Sequence, residues 1–332
     1  LGKYDKAKHY IVKALKTHLK LNHLTFETFL RIDYANCLNN LLEPKLSIEQ
    51  TNLAIDLLKR VENNRWLGIC YGNLNDTYIG LGDYTKSIEM GLKGLAIFKQ
   101  EGVQHNTAIM MLWLGESYYR IGNYEKMLSI VLEAESLLTG LNENFREAKI
   151  EYFKGHYALH NTDSETFLSH IDSSIEKFNL AQNTTYEFLA LLDKLYVLLD
   201  TDDLKKIEST IKKLDSLKKR VKGLEDNIQY ISMIFFYDAK KGDLNRKLFD
   251  KWKDELFNNK SLLKSNNIWI VFWFIAKTYY FVDETKLAKE CHEKAKECLN
   301  LFSKNISGKD DRKSFFNVYF NERVLEDIKI EI

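Results

Sequence analysis

The segments Leu81-Gly82-Asp83-Tyr84-Thr85-Lys86-Ser87 and Ile121-Gly122-Asn123-Tyr124-Glu125-Lys126-Met127 repeat one order of chemistry 40 residues apart. A glycine ends a helix well, because the left-handed conformation costs little without a Cβ. The Asp or Asn that follows can cap the next helix by accepting from a first-turn N–H. A tyrosine then plugs the turn. Three residues further on stands Ser87 or Met127, small or flexible, where two helices of a pair would cross closely.

The same order is found at Leu1-Gly2-Lys3-Tyr4-Asp5-Lys6-Ala7 and, in weaker form, at Lys241-Gly242-Asp243-Leu244-Asn245-Arg246. The glycines at 2, 82, 122 and 242 are all separated by multiples of 40. The positions this register predicts in between fall in Leu42-Glu43-Pro44, Asn161-Thr162-Asp163, Thr201-Asp202-Asp203 and Val282-Asp283-Glu284. Each is a polar or breaker-rich interruption between apolar-periodic stretches. A register held this long is the signature of stacked supersecondary units.

Composition agrees. Pro44 is the single proline in 332 residues, where average usage of about 5% predicts roughly sixteen. Proline breaks helix interiors, so its near absence predicts an almost wholly helical chain. Lys+Arg (48) and Asp+Glu (47) nearly cancel to a net charge of +1, which excludes a general nucleic-acid binder. The most apolar run, residues 268–282, is interrupted by Lys277 and is shorter than the roughly 20 residues a bilayer span needs. It reads as a buried helix. Cys37, Cys70, Cys291 and Cys298 form no C-x-x-C pair. They read as reduced packing thiols in a cytoplasmic protein.

The helix before the turn carries Tyr71-x-x-Leu74-x-x-x-Tyr78, then Met111-x-x-Leu114-Gly115-x-x-Tyr118, with Gly155 forty residues beyond Gly115. This resembles the tetratricopeptide repeat (TPR) family, strongly over residues 1–140 and more weakly, but in register, over 141–303. The family's usual unit is 34 residues. Forty-residue units resemble those of bacterial signalling regulators, among them peptide receptors and the sensor arms of kinases, cyclases and STAND-type ATPases. The resemblance implies an all-α, right-handed α-solenoid of about seven helix pairs over residues 1–303. A C-terminal capping helix would close it within 304–332.

The pairs are expected near 24–41/44–60, 64–80/83–99, 104–121/124–139, 143–160/163–180, 184–200/203–221, 226–241/244–258 and 266–281/284–303. Residues 3–20 read as the second helix of a pair whose first lies upstream of Leu1; the alternative, sensor-arm reading adds an effector domain outside this chain. One capping helix over 311–330, started by Asp310 or Asp311, would lay Phe315, Phe316, Tyr319 and Val324 on the last pair.

Little here reads as catalysis, so no enzyme is expected. His156-x-x-x-His160 has a metal-binding spacing but lacks the glutamate of H-E-x-x-H and any indicated third ligand, so no metal or cofactor is expected. The lysines between 205 and 222 alternate with Leu204, Ile207, Ile211 and Leu214, which makes them a solvated helix face before a docking patch. Gly91 and Gly94 inside a predicted helix suggest close helix approach or, failing that, a hinge.

In TPR arrays the first helix of each pair lines a concave groove. Aligned on the turn glycine, one groove position recurs as Asn36, Asp76, Glu116, His156, Tyr196, Phe236 and Ala276. Its neighbours include Asn39, Asn40, Tyr119, Arg120, Tyr152, His160, Gln229 and Trp269. An asparagine offers donor and acceptor together and can hold a peptide backbone without reading its side chains. The resemblance therefore implies a protein- or peptide-binding scaffold. The other open reading is a sensor or oligomerisation arm of a larger signalling protein. The expected partner is a protein or peptide, with self-association a further option, and neither nucleic acid nor membrane.

Overall fold

The computed structural model describes residues 2–21, 23–221, 224–259 and 267–326. Among them the chain is all-α, seventeen helices without a strand: α1 (Gly2–Lys20), α2 (Leu24–Asn40), α3 (Pro44–Arg60), α4 (Asn64–Leu81), α5 (Tyr84–Gln100), α6 (Gln104–Arg120), α7 (Tyr124–Leu138), α8 (Asn144–His160), α9 (Ser164–Leu180), α10 (Thr184–Leu198), α11 (Leu204–Leu217), α12 (Leu224–Lys241), α13 (Arg246–Asn258), α14 (Ile268–Phe281), α15 (Thr285–Ser303), α16 (Lys309–Phe315) and α17 (Tyr319–Leu325). They form a helical-repeat, solenoid-type architecture whose pairs fall in the 40-residue register.

Within most 40-residue units the two helices are nearly equal in length. Helices α2, α3, α5, α6, α8 and α9 each span 17 residues and are followed by three-residue turns, so the backbone repeats every 20. Left-handed residues mark the turns: Leu42, Glu62, Gly82, Gly102, Gly122, Asn142, Thr162, Gln182 and Gly242. At most of these turns the residue after the left-handed one returns its N–H to a carbonyl five positions back. Glu43 to Leu38, Asn63 to Leu58, Asp83 to Tyr78, Asn123 to Tyr118 and Asp163 to Ala158 are such bonds, at 2.9–3.1 Å. This closes the finished helix in a Schellman arrangement. The same residue then caps the next helix. Asn63, Asp83, Asn123, Asp163, Asn183 and Asp203 accept from the N–H three positions on. At these positions one residue serves two helix ends, its backbone N–H closing one helix and its side chain capping the next; Glu43 and Val103 close three-residue turns through the backbone without a side-chain cap.

The chain divides into two compact units, residues 1–141 with 305–311, and residues 142–304 with 312–332. In unit 1 the helices α1 to α7 pack each on the next, and α2, α4 and α6 also touch in series. Ile32, Ala54, Ile55, Leu58, Cys70 and Leu74 form one core cluster of it. Tyr84 and Tyr124 are buried plugs, while Tyr4 is exposed. Ser87 is fully buried, and Asn75 Nδ2 donates to its carbonyl (2.8 Å) and to Ser117 Oγ (3.0 Å), tying α4 to α5 and α6. A Cβ on Gly91 would stand 2.6 Å from Leu114, and one on Gly94 2.6 Å from Met110, so close approach explains both glycines. Residues 305–311 complete this unit. Ser307 donates to Asp83 Oδ1 through its N–H (3.3 Å) and hydroxyl (2.8 Å). The Thr85 hydroxyl accepts from Gly308 N–H (2.9 Å) and donates to Asp311 (2.7 Å).

In unit 2, α8 packs on α9, α9 and α11 on α10, α12 on α10 and α14, and α15 on α14. The apolar run at 268–281 is α14, buried almost throughout. No described helix is long and apolar enough to cross a membrane. The single capping helix expected over 311–330 is instead α16 and α17, broken at residues 316–318; 327–332 lie outside the described residues. The break follows from burial in two directions. Phe315 meets Trp269 and Phe302, whereas Phe320 meets His156 and Tyr196; one straight helix would not serve both.

Candidate functional site

The ladder position falls two to five residues before the end of each first helix, so the register gives one such side chain per pair. What that side chain meets differs between the units. In unit 1, Asn36 and Asp76 are exposed and Glu116 is half-buried. Asn40 Nδ2 donates to the Asn36 carbonyl (2.8 Å). Asn39, half-buried, pairs with the Thr77 hydroxyl (2.8 Å), a side-chain bridge between successive first helices. Glu116 pairs with Arg120 (3.3 Å) one turn on, and Arg120 also lies over the Tyr119 ring at 5.8 Å. Tyr119 is buried, edge-on to Tyr124. Burial pushes the nearby Tyr84 phenol up, with Arg120 opposing and Glu116 reinforcing the shift. The unit 1 face is therefore a row of amides and carboxylates backed by an aromatic layer.

In unit 2 the ladder positions are buried. His156 bonds through Nε2 to Asp193 Oδ2 (3.1 Å), and the Tyr152 hydroxyl donates to the same oxygen (2.5 Å). His160 is exposed, so the two histidines do not converge. No group of three or more His, Cys, Asp or Glu among the described residues is placed to hold a metal. Tyr196 lies parallel to Trp273 at 5.3 Å and against Phe320 at 4.5 Å. Burial drives its phenol well above the ordinary tyrosine range. Phe236 is buried against Phe274, with the Lys277 ammonium 4.5 Å from its ring. Gln229 is buried, and Trp269 is buried between Phe302 and Phe315 with its indole N–H donating to Asn321 (2.8 Å).

Two carboxylates at the centre of this face were not picked out by the sequence. Asp193 and Asp200 lie one turn to either side of Tyr196 on and just beyond α10. Asp200 binds both the Lys277 ammonium and the Arg323 guanidinium at 2.8 Å. Burial pulls the Lys277 pKa down, and Asp200 opposes that shift. The 40-residue arithmetic offset by one turn would have reached both residues, since neighbours at i±3 and i±4 share a helix face. The lysines of α11 lie exposed as expected, with Asp203–Lys206 and Asp215–Lys218 as local pairs; Lys222 lies outside the described residues.

These features define an all-α helical-repeat protein whose first helices carry a polar row in unit 1 and an aromatic row in unit 2. Its fold is similar to that of a Rap protein solved in complex with Competence and Sporulation Factor (TM-score 0.66, 13% identity, covering 84% of this chain and 77% of that one). It is also similar to the apo form of the quorum sensor NprR from B. thuringiensis (0.67, 13%, 89% and 84%). Aspartyl phosphate phosphatase F from Bacillus subtilis matches as well (0.63, 12%, 86% and 73%). At these identities the likeness is one of fold. No protein-family model matches the sequence, and no curated protein matches it.

Proposed function

We propose that this chain is a peptide- or protein-binding helical-repeat module that serves as the sensing arm of a signalling regulator, rather than a catalyst. The observation that carries the reading is the unit 1 face, where Asn36, Asp76 and Glu116 stand at equivalent positions of successive first helices. Such a row suits an extended or helical chain segment, because the Asn36 amide can both donate to and accept from a peptide backbone while the Asp76 and Glu116 carboxylates can accept its N–H groups. The likeness of the fold to a Rap protein crystallised with a signalling factor and to a quorum sensor supports the same reading. It also favours a sensing arm over a free-standing scaffold. All four cysteines are free thiols, in keeping with a reducing, cytoplasmic setting.

With a net charge of +1, affinity comes from shape and hydrogen bonds, so salt weakens it only mildly. The test is a peptide-array screen with the full chain, followed by affinity measurement on Asn36→Ala, Asn40→Ala and Glu116→Ala. Each asparagine truncation that strands a peptide amide costs about 1 kcal/mol. A ligand indifferent to all three, yet lost when Lys212 and Lys213 on the outer face are changed, would place binding elsewhere.

A further inference from the structure

The first-helix position that is open in unit 1 is closed in unit 2, and the closing element belongs to unit 2 itself. His156 is 1% exposed and Tyr196 is 1% exposed, at the position where Asn36 and Asp76 face solvent. Phe320 of α17 covers both, its ring 4.5 Å from Tyr196 and 5.9 Å from His156. Three residues later Arg323 reaches Asp200 at 2.8 Å. Tyr196 and Asp200 are four residues apart and Phe320 and Arg323 three apart, so both pairs are spaced by about one helical turn. An aromatic contact and a charge contact thus match one turn apart on both sides, which is how a helical peptide seats in a groove.

We propose that α17 is a docked internal ligand of the unit 2 face, and that a segment carrying an aromatic residue and an arginine three positions later competes with it for Tyr196 and Asp200. Three features support exchange. The helix has seven residues, far below the roughly 12–15 at which isolated helices gain stability. The Arg323–Asp200 pair is about one-third exposed on each side, which leaves it weak. And the Trp273 indole N–H, buried beneath Tyr196, has no hydrogen-bond acceptor among the described residues, a donor that a ligand carbonyl could engage. This proposal rests on the reading that first-helix faces bind chain segments.

Docking is anchored from the other side of α17. Val324 is fully buried and its carbonyl takes a bond from His292 (2.8 Å), while Asn321 holds Trp269. Val324→Asp therefore ejects α17 without touching Tyr196, Asp200 or Phe320. A fluorescent peptide spanning residues 315–326 should bind the full-length Val324→Asp chain and bind wild type at least about tenfold more weakly. Phe320→Ala or Arg323→Ala within the peptide, or Tyr196→Ala added to the chain, should each abolish most of that binding. A folded Val324→Asp chain that ignores the peptide, or binds all versions alike, would overturn the proposal. It would leave the unit 1 reading intact if an Asn36-dependent ligand still binds. Should Val324→Asp not fold, hydrogen exchange on wild type decides: α17 amides must exchange well ahead of α14, and joint exchange with α14 makes α17 a fixed part of the core.

Discussion

Gly91 gives the sharpest test of how the repeat is packed. A Cβ there would lie 2.6 Å from Leu114 Cδ2, 2.8 Å from Leu114 Cγ and 2.9 Å from Asn75 Nδ2. Leu114 and Asn75 are both fully buried, and Asn75 Nδ2 already holds Ser87 and Ser117. Alanine gains about 1 kcal/mol in helix propensity over glycine. Overpacking costs about 1–3 kcal/mol, and dislodging the Asn75 amide adds about 1–3 kcal/mol for stranded buried donors and acceptors. The net expectation for Gly91→Ala is a loss of about 1–5 kcal/mol. Gly80 supplies the control, since it lies in α4 with nothing within 4 Å of an added Cβ. There the propensity gain stands alone, and Gly80→Ala should stabilise by up to about 1 kcal/mol. Equilibrium urea unfolding compares the two, and hydrogen exchange locates the damage, which should concentrate in α4 to α6 because repeats couple chiefly to their neighbours. If Gly91→Ala stabilises as Gly80→Ala does, or if protection falls evenly along the chain, the close-packing argument is wrong.

The turns and the thiols offer two more checks. Thr162 is a β-branched residue held at φ 62°, a conformation that costs about 1–2 kcal/mol; Thr162→Gly should raise the unfolding free energy by about 1 kcal/mol in the same urea assay, and a loss would show that its hydroxyl bond to Asn161 matters more. Burial pushes the Cys70 thiol up to about 12 and Cys291 to about 11, so alkylation of the native chain at pH 8 with mass-spectrometric mapping should modify half-buried Cys298 first and Cys70 only on unfolding; equal rates at Cys70 and Cys298 would contradict the buried setting of α4.

The sequence by itself determined the repeat. Glycine, Asp or Asn, and tyrosine act locally, at a single turn, so their spacing is readable without knowing what packs on what. Helix ends came out within a few residues because at many turns, as at Asp83 and Asn123, one residue both closes a helix and caps the next. The alternate turns, half a period on, are less marked in sequence, because Glu62, Asn142 and Gln182 adopt the left-handed conformation there without being glycine. The same limit applies to the candidate site. Register arithmetic placed Asn36, Asp76, His156 and Tyr196 at one position of the repeat, yet it could not tell which of them would meet solvent. That was decided by contacts between residues far apart in the chain: Phe320 on Tyr196, Arg323 on Asp200, Asn321 on Trp269. A two-turn helix leaves no periodic trace of where it docks, because its position follows from the surface it covers and not from its own sequence.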